Sequence, residues 1–199
     1  MSTMKLRLGP VDQGRRLTIQ EFREADETEG YRYELGGGVL EVTEVPGSIH
    51  RRVVGNLYRM IARYDQDHPG VIETFGGGSV FRLWIPARES GRNPDLGVVL
   101  EGAPKDERGQ TQPALIAEVV SRRSRTRDYQ TKREEYHVFG VREYWIVDHA
   151  LRRVVVLEHS PDGWNERIAE AADAIPSLVL PGLAGRVENL WTGLADDDD

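Results

Sequence analysis

Two short apolar runs, residues 96–100 and 114–120, limit the fold of this chain more than any other feature of its sequence. The first run has no polar side chain, and the second has a single charged residue, Glu118. Strands that are apolar at nearly every position are typical of a sheet that is covered on both faces. The sequence therefore predicts an α/β domain, with a central mixed β-sheet flanked by helices.

Helix and turn signals divide the rest of the chain into elements that can cover such a sheet. Residues 17–22 are predicted as a short helix, because Thr18 and Glu21 have the spacing of a capping box. Residues 31–35 and 39–42 are predicted as an N-terminal β-hairpin around three glycines. Longer helices are predicted over residues 48–66 and 124–139. Further strands are predicted at 71–75, 80–85, 143–148, 153–158 and 164–168, and residues 88–92 are predicted as a loop.

The length and composition indicate one globular domain. The chain has 199 residues, for which we expect an extension over residues 1–17, one domain over 18–190 and a disordered acidic tail over 191–199. There is no cysteine, which excludes disulfides and thiolate metal sites and fits a reducing cytoplasm. No apolar run is long enough to cross a bilayer and no signal-peptide pattern is present, so we expect a cytoplasmic protein without a membrane partner.

The charge is unevenly distributed along the chain. The net charge is −7, of which the last four aspartates supply −4. Residues 122–133 contain six basic side chains against one acid, Asp128. Local potential matters more than total charge for attracting a polyanion. This run is therefore either a solvated helix face or a phosphate-binding surface, whose candidate contacts are Arg122, Arg123, Arg125 and Arg127.

Carboxylates occur where the pattern predicts buried strands. Asp95 precedes the first apolar run directly after Pro94, and Glu118 interrupts the second. On the following helix, Asp128 and Tyr136 lie four residues on either side of Lys132, and therefore on the same face. Buried carboxylates are costly unless they are paired or bind a cation. Two of them can hold Mg²⁺, with a lysine nearby to orient water or to stabilise a phosphate.

The same residues also have structural interpretations. Asp95 would then cap the entry to its strand, and Glu118 would form a buried ion pair with Lys132. Tyr136 would be a packing residue, and His50 would form local hydrogen bonds at a helix start. The combination of these features on adjacent strands and the next helix is more specific than any one of them.

This combination resembles the Uma-type restriction endonuclease family of the PD-(D/E)XK nuclease superfamily. The resemblance extends over residues 18–170. The residues that match are Tyr33-Glu34-Leu35, Gly38, residues 39–42, Ser48, His50, Asn93-Pro94-Asp95, residues 118–121, Asp128, Lys132, Tyr136 and residues 140–148.

The resemblance implies a restriction-endonuclease-like core with a metal site at one end of the sheet. It implies Mg²⁺- or Mn²⁺-dependent hydrolysis of DNA, with Asp95, Glu118 and the carbonyl of Val119 as metal ligands and Glu34 approaching the same site. The superfamily places a lysine two residues after the glutamate, where this chain has Val120. Lys132 is expected to take its place as the catalytic lysine. Further expectations are support from Asp128 and Tyr136 and phosphate contacts from His50, Arg122, Arg123 and Arg125.

Other functions remain open from the sequence. The overall acidity and Val120 favour a catalytically decayed nuclease fold that acts as a nucleic-acid-binding or interaction module. A third hypothesis is hydrolysis of RNA or of a nucleotide. The late apolar strands, residues 153–158 and 164–168, would form a homodimer contact if they lie at a sheet edge.

Overall fold

The computed structural model describes residues 5–105, 107 and 109–194. Its α-helices are α1 (Ile19–Glu24), α2 (Ser48–Asp67) and α3 (Lys132–Phe139). Its strands, in chain order, are β1 (Arg7–Leu8), β2 (Asp26–Glu27), β3 (Tyr31–Gly36), β4 (Val39–Glu44), β5 (Ile72–Gly76), β6 (Leu83–Ile85), β7 (Ser90–Arg92), β8 (Leu96–Leu100), β9 (Leu115–Val119), β10 (Glu143–Asp148), β11 (Arg153–Ser160) and β12 (Gly163–Glu170).

A six-stranded mixed sheet forms the centre of the fold, in the order β12-β11-β10-β9-β8-β5. Strands β9 and β10 are parallel, and every other neighbouring pair in this sheet is antiparallel. The two apolar runs of the sequence, β8 and β9, are hydrogen-bonded neighbours with Leu96 opposite Ala117. One step further along this antiparallel register, Asp95 lies opposite Glu118. The predicted fold class is confirmed.

Helices cover both faces of the central sheet. On one face, Val53, Leu57 and Ile61 of α2 pack against the sheet together with Leu190 and other apolar residues of the C-terminal segment. On the other face, Tyr136 of α3 packs with apolar side chains from β9, β10 and β11. Side chains alternate along β9, so that Leu115, Ala117 and Val119 join the first cluster and Ile116 the second. Glu118 therefore projects towards α3.

A smaller antiparallel sheet, in the order β4-β3-β7-β6, lies beside the end of the central sheet at which Asp95 is located. It contains the predicted hairpin, β3 and β4, in which Tyr33 and Leu35 are fully buried. Phe22 of α1 packs in the same cluster, and Thr18 caps this helix reciprocally with Glu21, as predicted. In the N-terminal segment, β1 pairs with β2 and Leu8 is buried, so residues from this segment also pack on the smaller sheet.

The structure corrects three local predictions. Residues 80–85 are predicted as one strand, but Gly78–Phe81 is a 3-10 helix and only β6 is extended; the ring of Phe81 lies directly over Gly97, which has no Cβ to displace it. Residues 88–92 are predicted as a loop, but they contain β7. The helix predicted at 124–139 contains a π-helical segment, Arg127–Thr131, in which the amide of Lys132 donates to the carbonyl five residues before it.

Residues 191–194, which were expected to belong to a disordered tail, are part of the folded domain. Trp191 is buried and Leu194 packs against the main core, so the compact structure continues beyond residue 190. Residues 195–199, which carry the terminal aspartates, lie outside the described residues. Among the described helices, none has both the length and the apolar character that a membrane crossing needs.

Candidate active site

Four elements place acidic and basic side chains around one cleft of about 540 Å³. The register of β8 and β9 brings Asp95 and Glu118 together, β3 provides Glu34, and α3 provides Lys132. The cleft is lined by these four residues and by others that include Arg32, His50, Val119, Arg122, Arg123, Arg127 and Asp128. Most of the predicted site residues therefore meet at one end of the central sheet.

The side chain of Lys132 points into the protein. Its Nζ lies 2.8 Å from Oε1 of Glu118, 3.3 Å from Oε1 of Glu34 and 3.8 Å from Oδ1 of Asp128. Only 3% of the residue is exposed. The hydroxyl of Tyr136 donates to the same Glu118 oxygen at 2.6 Å. Burial lowers the pKa of Lys132, but the three carboxylates outweigh it and raise the pKa above its usual value. The group is therefore an ammonium held among carboxylates.

Asp95 is surrounded by hydrogen-bond donors. Its Oδ1 accepts from Nη1 of Arg32 at 3.0 Å, and its Oδ2 accepts from the amide of Val119 at 2.9 Å. Nε2 of His50 lies 3.0 Å from the same Oδ2. Burial alone would raise the pKa of Asp95, but the hydrogen bond from His50 and the charges of Arg32 and Lys132 lower it below its usual range. Asp95 is an ionised carboxylate in this site.

Glu118 has the opposite electrostatic character. Burial raises its pKa to about 8, and although the charge of Lys132 acts against this, the nearby carboxylates Asp95, Asp128 and Glu34 add to it. By contrast, the pKa of Glu34 falls to about 2, because Lys132, Arg92 and Arg127 overcome the effect of its burial. Two neighbouring carboxylates thus differ widely in proton affinity, which is common where carboxylates serve chemistry.

A second set of buried charges holds this arrangement in place. Arg92 is fully buried; its Nε donates to Glu135 at 2.6 Å and its Nη1 donates to Glu41 at 2.9 Å. The Nη1 atom of Arg92 is also 3.6 Å from Glu34, and Arg127 donates to Glu41 at 2.8 Å. The network ties β3, β4 and β7 to α3. It fixes the distance between Glu34 and Lys132.

Three residues of the site were not predicted, namely Arg32, Arg92 and Glu135. Arg32 had an available signal, because it lies two residues before Glu34 on a predicted strand and therefore on the same face. Arg92 lies in a segment without apolar periodicity, and its strand is buried through ion pairs rather than through apolar packing. No pattern in the sequence reveals that partner.

Of the predicted phosphate contacts, His50 contacts Asp95 and Arg127 donates to Glu41, and the other three arginines divide into two groups. Arg122 and Arg123 are exposed and line the cleft, where Arg123 also pairs with Glu44 at 3.2 Å. Arg125 is not among the cleft residues, because its guanidinium pairs with Asp148 at 2.8 Å. The amide of Leu151 donates to Asp148 as well, so this aspartate anchors the turn between β10 and β11.

The donor set fits a hard divalent cation. Asp95 and Glu118 present buried carboxylates from adjacent strands, and Oε2 of Glu118 accepts no hydrogen bond from any described residue. Among the described residues there is no group of three or more acidic or histidine side chains placed to hold a metal. A cation here would therefore take two carboxylates, with the other positions left to a backbone carbonyl and water. Mg²⁺ commonly binds in this way and retains several waters.

Comparison with known proteins agrees with this architecture. The family model Uma2, described as "Putative restriction endonuclease", matches residues 19–188. The crystal structure of a "putative nuclease" of the DUF820 group from Anabaena variabilis has the same fold, with a TM-score of 0.69 and 18% identity over 88% of this chain and 97% of that one. No curated protein matches the chain. The family match confirms the resemblance noted from the sequence. The chain belongs to the Uma2 family of restriction endonuclease-like proteins.

Proposed function

We propose that this protein is a metal-dependent endonuclease that hydrolyses DNA phosphodiester bonds. Membership of the Uma2 family supports a nuclease. The observation that carries the finer proposal is the position of Lys132, whose buried Nζ lies 2.8 Å from Glu118. An ammonium in this position supplies the charge that Val120 cannot supply.

Asp95, Glu118 and the carbonyl of Val119 would hold Mg²⁺ or Mn²⁺. When bound, such an ion stabilises negative charge on a phosphate and lowers the pKa of a water ligand. Because Oδ1 of Asp95 is held by Arg32 and its Oδ2 by Val119 and His50, its orientation is fixed before any ligand arrives. Such preorganisation avoids a cost of reordering during the reaction.

The other residues of the cleft have separate roles. Lys132 is close enough to Glu118 to orient an attacking water or to contact a phosphate oxygen beside it. Glu34 and Asp128 also pair with the ammonium, and Tyr136 fixes the Glu118 oxygen that Lys132 contacts. Arg122 and Arg123 are exposed at the cleft, where they attract the phosphate backbone.

Metal binding by the carboxylates tests the proposal directly. Calorimetric titration of the wild-type protein with Mn²⁺ should show binding that weakens at least about tenfold in Asp95→Asn, because one of only two side-chain ligands loses its charge. The matched control is Asp67→Asn, which removes an exposed carboxylate 59% accessible at its side chain. Supercoiled plasmid should be nicked only with a divalent cation and only by protein that retains Asp95. Unchanged Mn²⁺ affinity in Asp95→Asn would contradict the proposal.

Two results would favour the other hypotheses. If the protein binds DNA but binds no Mn²⁺, the decayed module is the better description, with Asp95 held internally by the ion pair with Arg32 and the contact with His50. If metal-dependent cleavage is confined to RNA or to nucleotides, the site is catalytic, but the proposal that DNA is its substrate is wrong. Product analysis on mixed substrates separates these outcomes.

We also propose that the protein forms a homodimer through β12. This strand is at one edge of the central sheet and pairs with β11 only, and over residues 164–169 its outer backbone groups make no hydrogen bond with another described element and could pair with a second copy. Ile168 on this strand is 49% exposed. Sedimentation equilibrium should give twice the 22.5 kDa chain mass, and Ile168→Lys should shift the protein towards the monomer. A wild-type monomer at micromolar concentration would exclude this assembly.

A further inference from the structure

An apolar groove continues from the cleft past Asp95. It has a volume of about 600 Å³, and we refer to it as the α2 groove because Val54, Gly55 and Tyr58 of that helix form one side. The other side is the backbone of Gly77 and Gly78. The cleft and the groove share the wall formed by Arg32, Pro46, His50 and Asp95. A chain bound across the cleft would therefore reach the groove without leaving the surface.

We infer that the α2 groove holds an unstacked nucleobase of the strand whose phosphate lies at Asp95, an inference that rests on the proposed function. The surface inside the groove is almost entirely apolar, which suits the face of a base rather than a phosphate. Its rim carries two basic side chains: Arg32, which is paired with Asp95, and the exposed Arg51, which suits a phosphate next to that base. Apolar contact combined with a basic rim is the chemistry with which proteins hold single strands.

Gly55 provides an independent reason for this assignment. It lies inside the 20-residue helix α2, where glycine is unfavourable relative to alanine. A Cβ at this position would meet only Nη1 of Arg59, at an ordinary contact distance of 3.6 Å. Packing within the chain therefore does not require the glycine. What the glycine preserves is open space in the groove, close to the helix backbone.

Tyr58 lies one turn further along the same helix and can contact a base. Its ring packs edge-on against Phe75, with ring centroids 6.1 Å apart, so the ring orientation is fixed. The hydroxyl of Tyr58 makes no hydrogen bond within the described residues and remains available to a ligand. Stacking on a fixed aromatic ring tolerates any base, because every base has a π face.

The groove implies a preference among nucleic acids. In a B-form duplex the faces of the bases are stacked, and only their edges are accessible in the grooves. A base can enter an apolar groove only when it is unstacked, in a single strand or after extrusion from a duplex. The substrate class that fits is therefore single-stranded DNA, or DNA that is locally unpaired at the cleavage site.

The test measures binding rather than cleavage. Fluorescence anisotropy in EDTA gives the Kd of a short labelled single-stranded oligonucleotide and of its duplex. Gly55→Leu should raise the Tm, because leucine is a better helix former, and should weaken single-strand binding about tenfold by filling the groove. Gln66→Leu adds the same side chain at an exposed position of α2 outside the groove, and it should leave the Kd unchanged.

A second variant keeps the test decisive if Gly55→Leu is not folded. Tyr58→Leu retains an apolar side chain but removes the aromatic face, so it should also weaken single-strand binding several-fold. If both variants bind the single strand as tightly as wild-type protein, the inference is overturned, and metal-dependent plasmid nicking that needs Asp95 would leave the proposed function intact. If binding falls in both variants although no cleavage occurs, the groove assignment stands and the nuclease proposal fails.

Discussion

Lys132→Met is expected to lower the rate of metal-dependent DNA nicking by about 10²- to 10³-fold, the usual effect of removing one charged group that stabilises a transition state. The ammonium of Lys132 lies 2.8 Å from Glu118 and is almost fully buried, and among the described residues no other cationic side chain pairs with Glu118. Methionine has a similar length and an apolar end, and it preserves most of the packing around α3. Initial rates of plasmid nicking at saturating Mn²⁺ measure the effect.

Moving the lysine from position 132 to position 120 tests the cause of this loss of nicking rate. The cause is either the missing ammonium beside Glu118 or a less stable fold. Val120 follows Glu118 by two residues, so both side chains lie on the face of β9 that α3 covers. It belongs to the same buried cluster as Tyr136, whose hydroxyl contacts Glu118. A lysine at position 120 would therefore begin beside the carboxylate that Lys132 contacts. The double change Val120→Lys with Lys132→Met should recover at least about tenfold of the lost rate.

The control for this experiment is Lys5→Met, which removes an exposed lysine that pairs with Asp26 at the far side of the smaller sheet. It should nick plasmid at the wild-type rate. Circular dichroism and Tm of each variant separate loss of folding from loss of rate. Full activity of folded Lys132→Met protein would show that Lys132 has only the structural role of neutralising Glu118 and Glu34.

The central sheet was predictable because its signals are local and apolar. The continuous apolar character of β8 and β9 identified them as covered strands, and the β3–β4 hairpin followed from its glycines. The meeting of Asp95 and Glu118 followed as well, since carboxylates at the ends of two adjacent buried strands have few other places to lie. The spacing of Asp128, Lys132 and Tyr136 placed them on one helix face, which the structure turns towards Glu118.

The remaining features depend on contacts between residues far apart in sequence. Strand β7 is short and polar, and its burial includes the ion pairs of Arg92 with Glu135 and Glu41, which are distant in sequence. The π-helical turn before Lys132 has no signal in helix propensity, which predicts an ordinary α-helix at this position. Such turns frequently occur at functional sites, and here the π-helical segment contains Asp128 and directly precedes Lys132, two residues that pair with each other while Lys132 also pairs with Glu118.

In metal-free protein, Glu118→Gln is expected to raise the Tm by about 10 °C more at pH 9 than at pH 4. Burial raises the pKa of Glu118 from 4.5 to about 8. The folded protein therefore binds this proton more tightly than the unfolded chain, and the resulting stability is fully present below pH 4.5 and lost as the pH rises towards 8. Glutamine resembles the protonated acid at every pH, so the variant does not lose this stability.

The size of the effect follows from the shift in pKa. One pKa unit corresponds to about 1.4 kcal/mol. The difference in free energy of unfolding between variant and wild type should therefore grow by roughly 4 kcal/mol over this pH range and then level off. The control, Glu166→Gln, removes a carboxylate with 41% of its side chain exposed, and its Tm difference from wild type at the two pH values gives the background for the comparison. If the Tm difference between Glu118→Gln and wild type stays constant or becomes smaller from pH 4 to pH 9, burial does not raise the pKa of Glu118.

Addition of Mn²⁺ should narrow the Tm difference between wild type and Glu118→Gln if Glu118 is a ligand. A cation that binds only the folded state raises the Tm by mass action, and it binds Glu118 best when this carboxyl is ionised. At pH 9 the wild-type protein should therefore gain several degrees on addition of saturating Mn²⁺, whereas Glu118→Gln should gain little. The cost of ionising Glu118 in the empty site is offset when a cation replaces the proton, which is the behaviour that distinguishes a metal ligand from one half of a structural ion pair with Lys132.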